Sequence, residues 1–209
     1  KSWLDKLALH TQVVKKESQI NYQHGRLLYS FLRNYIFENK ISFINIVEIG
    51  TARGFSAICM SKAINDENIN GEIITIDIIP NDKMFFWNCI DDHEKPKTRR
   101  ELLSKWPNEL KNINFITGPS KFVLKKITTG RINFAFIDGM HDLNNVKKEF
   151  DFISYRQKKK DIIILDDVSD SFPEIKKFIE YLKNLNRYNI DIINSDKVRS
   201  YAICTKLND

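Results

Sequence analysis

Acidic residues follow two neighbouring predicted strands, at the point where each strand ends. The almost continuously apolar run 132–137 predicts a strand buried on both faces, and Asp138 follows it directly. The run 162–165 predicts the next strand along the chain, and Asp166 and Asp167 follow that one. Adjacent parallel strands lie about 4.8 Å apart and open on the same edge of a sheet, so we expect the three carboxylates to lie close together.

These three carboxylates predict a metal site. Carboxylates crowded at one place repel one another unless a cation lies between them. A ligand set made only of oxygen favours Mg²⁺, with Mn²⁺ or Ca²⁺ possible, and disfavours zinc. His141 lies three residues beyond Asp138. With an ordinary pKa of about 6.5, it is a candidate catalytic base for the hydroxyl of a metal-bound substrate.

A turn that contains two glycines, Gly50 and Gly54, joins the predicted strand 43–49 to an amphipathic helix that extends to about residue 65. We expect Gly50 to permit the tight turn and Gly54 to let the backbone approach a ligand. In doubly wound α/β domains, ligands bind outside the carboxyl ends of the strands, where this turn lies. The glycine spacing differs from the dinucleotide-binding fingerprint, and no Gly-Lys-Ser/Thr follows, so both that motif and a phosphate-binding loop match poorly.

Two carboxylates near this turn indicate what the ligand is. Glu48, at the end of the first strand, would repel a phosphate but accept hydrogen bonds from a cationic or hydroxylated ligand. S-adenosylmethionine carries an ammonium, a sulfonium and a ribose diol, and it therefore suits such a site. Asp77 ends the predicted strand 72–77 and is placed to bind a ribose diol, although dinucleotides use the same position.

Both segments resemble motifs of known methyltransferases. Residues 48–56 resemble the first motif of class I S-adenosylmethionine-dependent methyltransferases, in the form E-I-G-T-x-x-G-x-S. Residues 138–149, with the later Asp-Asp pair, are similar to small metal-dependent O-methyltransferases, among them the macrocin O-methyltransferase and cephalosporin hydroxylase-like groups. The resemblance spans roughly residues 46–168, and it implies the same metal ligands and the same catalytic base, with Asp138 counted among the catalytic residues. The residues that it implies at the cofactor are Glu48, Gly50, Thr51, Gly54, Ser56, Asp77, Ser120 and Asp138.

The remaining pattern predicts a single α/β domain over residues 1–209, with a Rossmann-like, doubly wound seven-stranded sheet. The sheet is mostly parallel and closes with an antiparallel hairpin made by 189–194 and 199–205. Residues 1–40 form a predicted N-terminal helical arm. The entry of its second helix, residues 22–26, could lie over a cofactor pocket, although we expect His24 to cap a helix or lie at the surface. A helix is predicted from Ser120 through residue 127.

Residues 78–107 are predicted to be a substrate-loop insertion. Long insertions at the carboxyl edge of a sheet often serve as binding loops or lids. Trp87 and Asn88 are candidate substrate contacts, and a basic set of side chains could meet an anionic group on the substrate. That basic set is Lys97, Arg99 and Arg100. A solvated surface with a few aromatic side chains in the core explains the same residues equally well.

Composition narrows the class of protein further. The chain has 209 residues, 42% of them hydrophobic and 29% charged, which is ordinary for a globular protein. The net charge of +6 is scattered along the chain, so a nucleic-acid partner is not expected. The absence of a long apolar run and of a signal-peptide core, together with an odd number of widely spaced cysteines, predicts a cytoplasmic protein with reduced thiols. The helical arm could pair subunits in a homo-oligomer.

The predicted function is O-methylation of a hydroxyl on a small molecule, such as a sugar or a natural product, by S-adenosylmethionine with a divalent metal. Two alternatives remain open. The first is a cephalosporin hydroxylase-like enzyme on the same scaffold. The second is a non-catalytic module that keeps a cofactor-shaped pocket.

Overall fold

The structure is a computed structural model that describes residues 2–12, 22–89, 95–140, 142–194 and 199–209. The predicted base His141 lies outside the described residues, as do residues 13–21 of the predicted helical arm. No helix in the described ranges is long and apolar enough to cross a membrane.

The molecule is built on one seven-stranded sheet with the strand order β3-β2-β1-β4-β5-β7-β6. The strands are β1 (Phe43–Ile49), β2 (Asn70–Asp77), β3 (Ile113–Thr117), β4 (Phe134–Ile137), β5 (Ile162–Leu165), β6 (Tyr188–Asn194) and β7 (Ser200–Lys206). Strands β1 to β5 are parallel, and β7 runs antiparallel to both β5 and β6. The predicted doubly wound sheet with a terminal antiparallel hairpin is therefore confirmed.

Helices cover both faces of the sheet. They are α1 (Trp3–Thr11), α2 (Tyr22–Asn39), α3 (Phe55–Asp66), α4 (Arg99–Leu102), α5 (Pro107–Leu110), α6 (Ser120–Val123), α7 (Leu143–Tyr155) and α8 (Pro173–Leu185). The helix α6 ends at Val123, earlier than the predicted residue 127. Asp142 caps α7 by accepting a hydrogen bond from the backbone N–H of Asn145, which fixes where the chain turns after β4.

The core has two halves, one on each face of the sheet. Because side chains alternate along a strand, Phe134 and Phe136 of β4 pack with α2 and α3, whereas Ala135 and Ile137 pack with α7 and α8. A central strand with both faces covered must be apolar throughout, as the sequence of β4 is. The polar residue that follows such a strand is then held rigidly at the sheet edge.

Candidate active site

The parallel register brings the ends of four strands to one edge of the sheet. Ile49 of β1 pairs with Ile76 of β2 and with Ile137 of β4, and Ile137 pairs in turn with Leu165 of β5. The residues that follow these positions therefore lie side by side. They are Gly50, Asp77, Asp138 and Asp166.

A cavity of about 590 Å³, called the large cavity below, opens at this edge. Its walls come from the segments that follow β1, β2, β3 and β4. Of the cofactor residues predicted from the sequence, the lining includes Gly50, Asp77, Ser120 and Asp138. The volume lies in the range of sites that enclose a cofactor-sized ligand.

Gly50 is required by the backbone geometry of this edge. Its φ is +97°, and a Cβ added to it would lie 2.0 Å from the carbonyl oxygen of Asp138. Its N–H donates to the carbonyl of Ile76 at 2.9 Å. The turn that follows β1 can therefore lie against the turn that follows β4 only because residue 50 has no side chain.

Gly54 has a different role from the predicted one. Its φ of +84° starts α3, but a Cβ added there would lie 2.6 Å from Cδ1 of Leu103, a buried side chain just after α4. The close neighbour is thus part of the insertion and not a ligand. Gly54 lets the insertion pack beneath the turn.

Asp77 lies at the wall of the large cavity and is held by the backbone. Its Oδ2 accepts a hydrogen bond from the N–H of Ala52 at 2.6 Å, and its Oδ1 accepts one from the N–H of Ile79 at 2.8 Å. Each carboxylate oxygen can accept a further hydrogen bond. Asp77 is therefore preorganised to accept hydrogen bonds from a diol.

Glu48 requires a correction, because it does not face either cavity at this edge. Its side chain is completely buried and accepts hydrogen bonds from the hydroxyls of Ser56 and Thr75. Since the Thr75 proton is used on Glu48, the hydroxyl of Thr51 donates to Thr75, at 2.6 Å. Burial raises the pKa of Glu48 to about 7. Through these hydrogen bonds, Glu48 links the end of β1 to β2 and to α3.

A second group of side chains, called the acid–imidazole group below, consists of His24, Asp138 and Asp166. One potential ligand atom from each lies within 4.8 Å of the other two. Asp167 is not a member of this group. Its φ is +58°, its N–H donates to Oδ1 of Asp166 at 2.7 Å, and its Oδ1 lies 4.0 Å from Nε of Arg199. The structure thus brings two of the three predicted metal ligands together and adds an imidazole.

His24 is the residue that the sequence interpretation placed wrongly, because it is buried at 6% exposure and not at the surface. Its Nδ1 lies 3.0 Å from the hydroxyl of Tyr201 and 3.6 Å from Oδ2 of Asp166. Burial, followed by the nearby charge of Arg199, lowers its pKa to about 3, so the imidazole is neutral. The sequence did contain a signal, since His24 precedes Leu28 and Leu32 of the same buried helix stripe by four and eight residues.

The charges of the acid–imidazole group are only partly balanced by the protein. Nη1 of Arg199 lies 3.3 Å from Oδ2 of Asp166. Within the described ranges, the carboxylate of Asp138 has no hydrogen-bond or ion-pair partner. Burial and the neighbouring carboxylates raise the pKa of Asp138, and burial raises the pKa of Asp166 to about 7. The arrangement favours binding of a cation next to Asp138.

A smaller cavity of about 180 Å³ adjoins the acid–imidazole group. His24, Gly50, Asp138 and Arg199 contribute to its lining, together with Thr11 of α1. Asp138 and Gly50 therefore line both cavities. A ligand in the large cavity would meet a second ligand in the small cavity at Asp138.

Arg99 braces the large cavity from behind and also lines a separate cavity, together with Arg100 and Phe115. It is 2% exposed; its Nε donates to the carbonyl of Ala52 at 2.8 Å, and its Nη1 donates to that of Ile79 at 3.3 Å. Its Nη2 lies 3.8 Å from Oδ2 of Asp77. These contacts give Arg99 a structural role at the large cavity, and its contact with an anionic substrate group stays a prediction. Trp87, at 4% exposure, belongs to the core of the insertion and lies 5.6 Å from the guanidinium.

Comparison with known proteins identifies the class. The family model of a methyltransferase domain, Methyltransf_24, matches residues 47–168, which are more than half of the chain. The chain therefore belongs to this methyltransferase family, as the resemblance of its motifs predicted. The matched segment runs from β1 through β5 and contains the large cavity and both carboxylates of the acid–imidazole group. No curated protein sequence matches the chain.

Solved structures share the fold over nearly the whole chain. The O-methyltransferase TomG from Streptomyces achromogenes, in complex with SAM (S-adenosylmethionine), is 15% identical with a TM-score of 0.70, covering 98% of this chain and 89% of its own. An O-methyltransferase from Bacillus cereus in complex with SAH (S-adenosylhomocysteine) is 16% identical with a TM-score of 0.69, and the match covers 97% of this chain and 90% of the other. The O-methyltransferase NovP is 13% identical with a TM-score of 0.68, covering 99% and 88%. At these identities the likeness establishes the fold of class I methyltransferases.

Proposed function

We propose that the protein transfers a methyl group from S-adenosylmethionine to a hydroxyl of a small molecule, such as a sugar or a natural product, with the help of a divalent metal ion. The observation that carries this proposal is the position of Asp138, which lines both cavities and belongs to the acid–imidazole group. A methyl donor and a metal-bound acceptor would meet there. The bound SAM and SAH of two neighbours in the same fold support the choice of cofactor.

The residues of the large cavity fit S-adenosylmethionine. The carboxylate of Asp77 suits the ribose diol, and the side-chain-free Gly50 leaves room beside Asp138. Glu149 of α7 also lines the cavity, and its Oε2 is buried without a hydrogen-bond partner within the described part of the chain. A buried acceptor without a donor is costly unless a ligand supplies one.

The acid–imidazole group fits a divalent ion. Asp138, Asp166 and His24 would hold it, and the carboxylate ligands favour Mg²⁺, Mn²⁺ or Ca²⁺. When bound, the ion acts as a Lewis acid that lowers the pKa of the acceptor hydroxyl. Arg199 pairs with Asp166, and Asp138 also lines the large cavity, so a cation could reach Asp138 from that side.

The protein's own residues would orient the reactants and accept the proton. The neutral imidazole of His24, held near Tyr201 and Asp166, would serve as a ligand of the ion and not as the base. His141, outside the described residues, remains the base predicted from the sequence. Once its proton has passed to the base, the acceptor oxygen would take the methyl group, and S-adenosylmethionine would leave as S-adenosylhomocysteine.

We also propose that the protein works in the cytoplasm, since Cys59, Cys89 and Cys204 are buried free thiols. The test of the reaction is mass spectrometry of products formed from S-adenosylmethionine and a panel of hydroxylated sugars and phenols. We expect a methylated product, loss of turnover in EDTA and recovery with Mg²⁺ or Mn²⁺. Full activity in EDTA would contradict metal assistance. A hydroxylated product would favour the hydroxylase-like alternative, and cofactor binding without turnover across the panel would favour the non-catalytic module.

A further inference from the structure

Arg53 is a cation in the small cavity to which the proposed reaction gives no role. It lies in the turn between β1 and α3 and lines the small cavity with His24, Asp138 and Arg199. Its Nε donates to the carbonyl of Trp87 at 2.8 Å. Within the described ranges, its Nη1 and Nη2 donate no hydrogen bond, and the side chain has no ion-pair partner. The guanidinium therefore has donors left for a ligand.

The position of Arg53 is fixed by its neighbours. The N–H of Ala52 donates to Oδ2 of Asp77 at 2.6 Å, and the carbonyl of Ala52 accepts a hydrogen bond from Nε of Arg99 at 2.8 Å. Trp87, whose carbonyl holds Nε of Arg53, is 4% exposed in the core of the insertion. Because the backbone beside Arg53 and its Nε are both held, ordering this side chain on a ligand costs little conformational entropy.

The charges around the small cavity leave Arg53 without a counter-charge. With a divalent ion bound as proposed, the ion balances the carboxylates of Asp138 and Asp166. Arg199 lies 3.3 Å from an oxygen of Asp166 and 4.0 Å from one of Asp167, and it supplies the charge for the third carboxylate. Among these groups the positive charge of Arg53 is left over, so a ligand that carries one negative charge complements the cavity.

The size of the small cavity limits what this ligand can be. Its volume is about 180 Å³. An apolar cavity of about 150 Å³ holds a benzene ring, so one ring-sized group fits here. The proposed reaction requires a hydroxyl of that group beside Asp138, and an acidic substituent on the same ring would meet Arg53 at the cavity wall. The planar fork of a guanidinium matches a carboxylate.

We propose that Arg53 binds a carboxylate on the acceptor, so that the enzyme prefers a ring-sized hydroxy acid to the neutral molecule of the same shape. This inference rests on the proposed function, because it names the acceptor class of that site. Arg53 is then a residue that determines specificity, and it takes no part in the transfer of the proton or the methyl group.

The experiment is calorimetric binding of matched acceptors to the whole chain, with S-adenosylhomocysteine and Mn²⁺ present and no turnover. The pairs are protocatechuate with its amide, and glucuronate with glucose. For the wild type we expect the acid of at least one pair to bind at least about 10-fold more tightly than its neutral partner, which corresponds to about 1.4 kcal/mol. In Arg53→Gln we expect the affinity for the acid to fall to that of the neutral molecule. Arg53→Lys keeps the charge but not the fork, so its preference should be intermediate.

Two further variants are matched controls. Arg187→Gln removes the same charge at an exposed position between α8 and β6 and should keep the wild-type preference. Arg100→Gln removes an exposed cation of the insertion and should keep it as well. Affinity for S-adenosylhomocysteine should be unchanged in Arg53→Gln, because Arg53 does not line the large cavity. A purely structural role for Arg53 would instead weaken binding of the cofactor analogue and of both members of each pair.

The outcomes separate this inference from the proposed function. Equal wild-type affinity for acid and neutral molecule in both pairs would overturn it. An unchanged preference in Arg53→Gln would also overturn it, and would mean that the carboxylate binds the ion or another cation such as Arg100. An acid preference that depends on Arg53, without any methylated product from the preferred acid and S-adenosylmethionine, would contradict the proposed reaction while leaving the acid site in place.

Discussion

The large cavity and the acid–imidazole group lie on the same sheet edge but differ in how their polar atoms are satisfied. In the large cavity, Asp77 is held by backbone N–H groups, and one oxygen of Glu149 has no partner among the described residues. In the acid–imidazole group, Asp166 already contacts Arg199, and His24 already contacts Tyr201. The first region is ready for a ligand, whereas the second must rearrange charged contacts when a cation binds.

The two regions also differ in where their residues come from. The walls of the large cavity follow directly after β1 to β4 and extend onto α7, so they depend on the sheet and the packing around it. The acid–imidazole group needs His24 from α2, and its neighbours Arg199 and Tyr201 come from the opposite end of the chain. We therefore expect that cofactor binding and catalysis can be separated by mutation, whereas a change at Gly50, which lies against Asp138, should damage both.

Gly50→Ala should have the largest effect, because it damages both regions. The new Cβ would lie 2.0 Å from the carbonyl oxygen of Asp138, at a φ of +97°. We expect a loss of roughly 3 kcal/mol or more in the free energy of unfolding, together with loss of S-adenosylhomocysteine binding. Urea unfolding and calorimetry measure the two effects.

Gly130→Ala is the matched control for this substitution. An added Cβ there has no heavy atom within 4 Å, so its effect on unfolding should stay within about 0.5 kcal/mol. Similar stability and binding in the two variants would contradict the close approach of the β1 and β4 turns.

His24→Gln should separate the two regions. His24 lines the small cavity but not the large one. We expect turnover to fall by about 100-fold, because the ion would lose one of its ligands, while the affinity for S-adenosylhomocysteine changes little. Steady-state kinetics and calorimetry on the same preparation test this. His10→Gln, on α1 beside Trp106, is the comparison variant. A parallel loss of turnover and cofactor affinity would show that the two regions are not separable.

Much of this arrangement could be predicted from the sequence, and the reason is physical. β1, β4 and β5 are short apolar runs that end in Gly50, Asp138 and Asp166, and parallel pairing then places their ends together. The strand pattern, the terminal hairpin and the shared edge all follow from such local signals. The positions of Asp77 and Ser120 at the large cavity follow in the same way.

The contacts that could not be predicted depend on tertiary packing. Nothing local indicates that His24 and Arg199 both reach Asp166, or that Arg99 turns inward from a basic cluster to brace Ala52 and Ile79. Glu48 shows the converse error. Its position at a strand end suggested a ligand contact, but two hydroxyls satisfy it beneath the turn.

Arg99→Lys should weaken cofactor binding without changing the chemistry. A lysine cannot reproduce the forked contacts to Ala52 and Ile79 that position the wall on which Asp77 lies. We expect affinity for S-adenosylhomocysteine to fall by about 10-fold, with kcat at saturating cofactor nearly unchanged. Arg100→Lys, at a neighbouring exposed position, should match the wild type. A lower kcat with unchanged affinity would place Arg99 at the acceptor instead.

The last variant concerns stability and not activity, because Glu149 makes the stability depend on pH. Its pKa is raised from 4.5 to about 7 in the folded protein. Below pH 4.5 the Glu149 carboxyl is protonated in both the folded and the unfolded chain, so it does not change the free energy of unfolding. As the pH rises towards 7, this carboxyl ionises first in the unfolded chain, so folding is progressively disfavoured. Glu149→Gln removes this penalty and should gain up to about 3 kcal/mol relative to the wild type between pH 5 and pH 8. Thermal unfolding at both pH values checks this, and a difference that shrinks with rising pH would contradict it.

The central claim is that a cation and the cofactor share Asp138. Titration with Mn²⁺ in the presence of S-adenosylhomocysteine, followed by electron paramagnetic resonance of free Mn²⁺, tests it most directly. We predict one saturable Mn²⁺ site in the wild type and in the control Asp170→Asn, which changes an exposed carboxylate. In Asp138→Asn we predict that this site is lost while the cofactor analogue still binds. Equal Mn²⁺ binding in the Asp138 variant, or no binding in the wild type, would contradict the account.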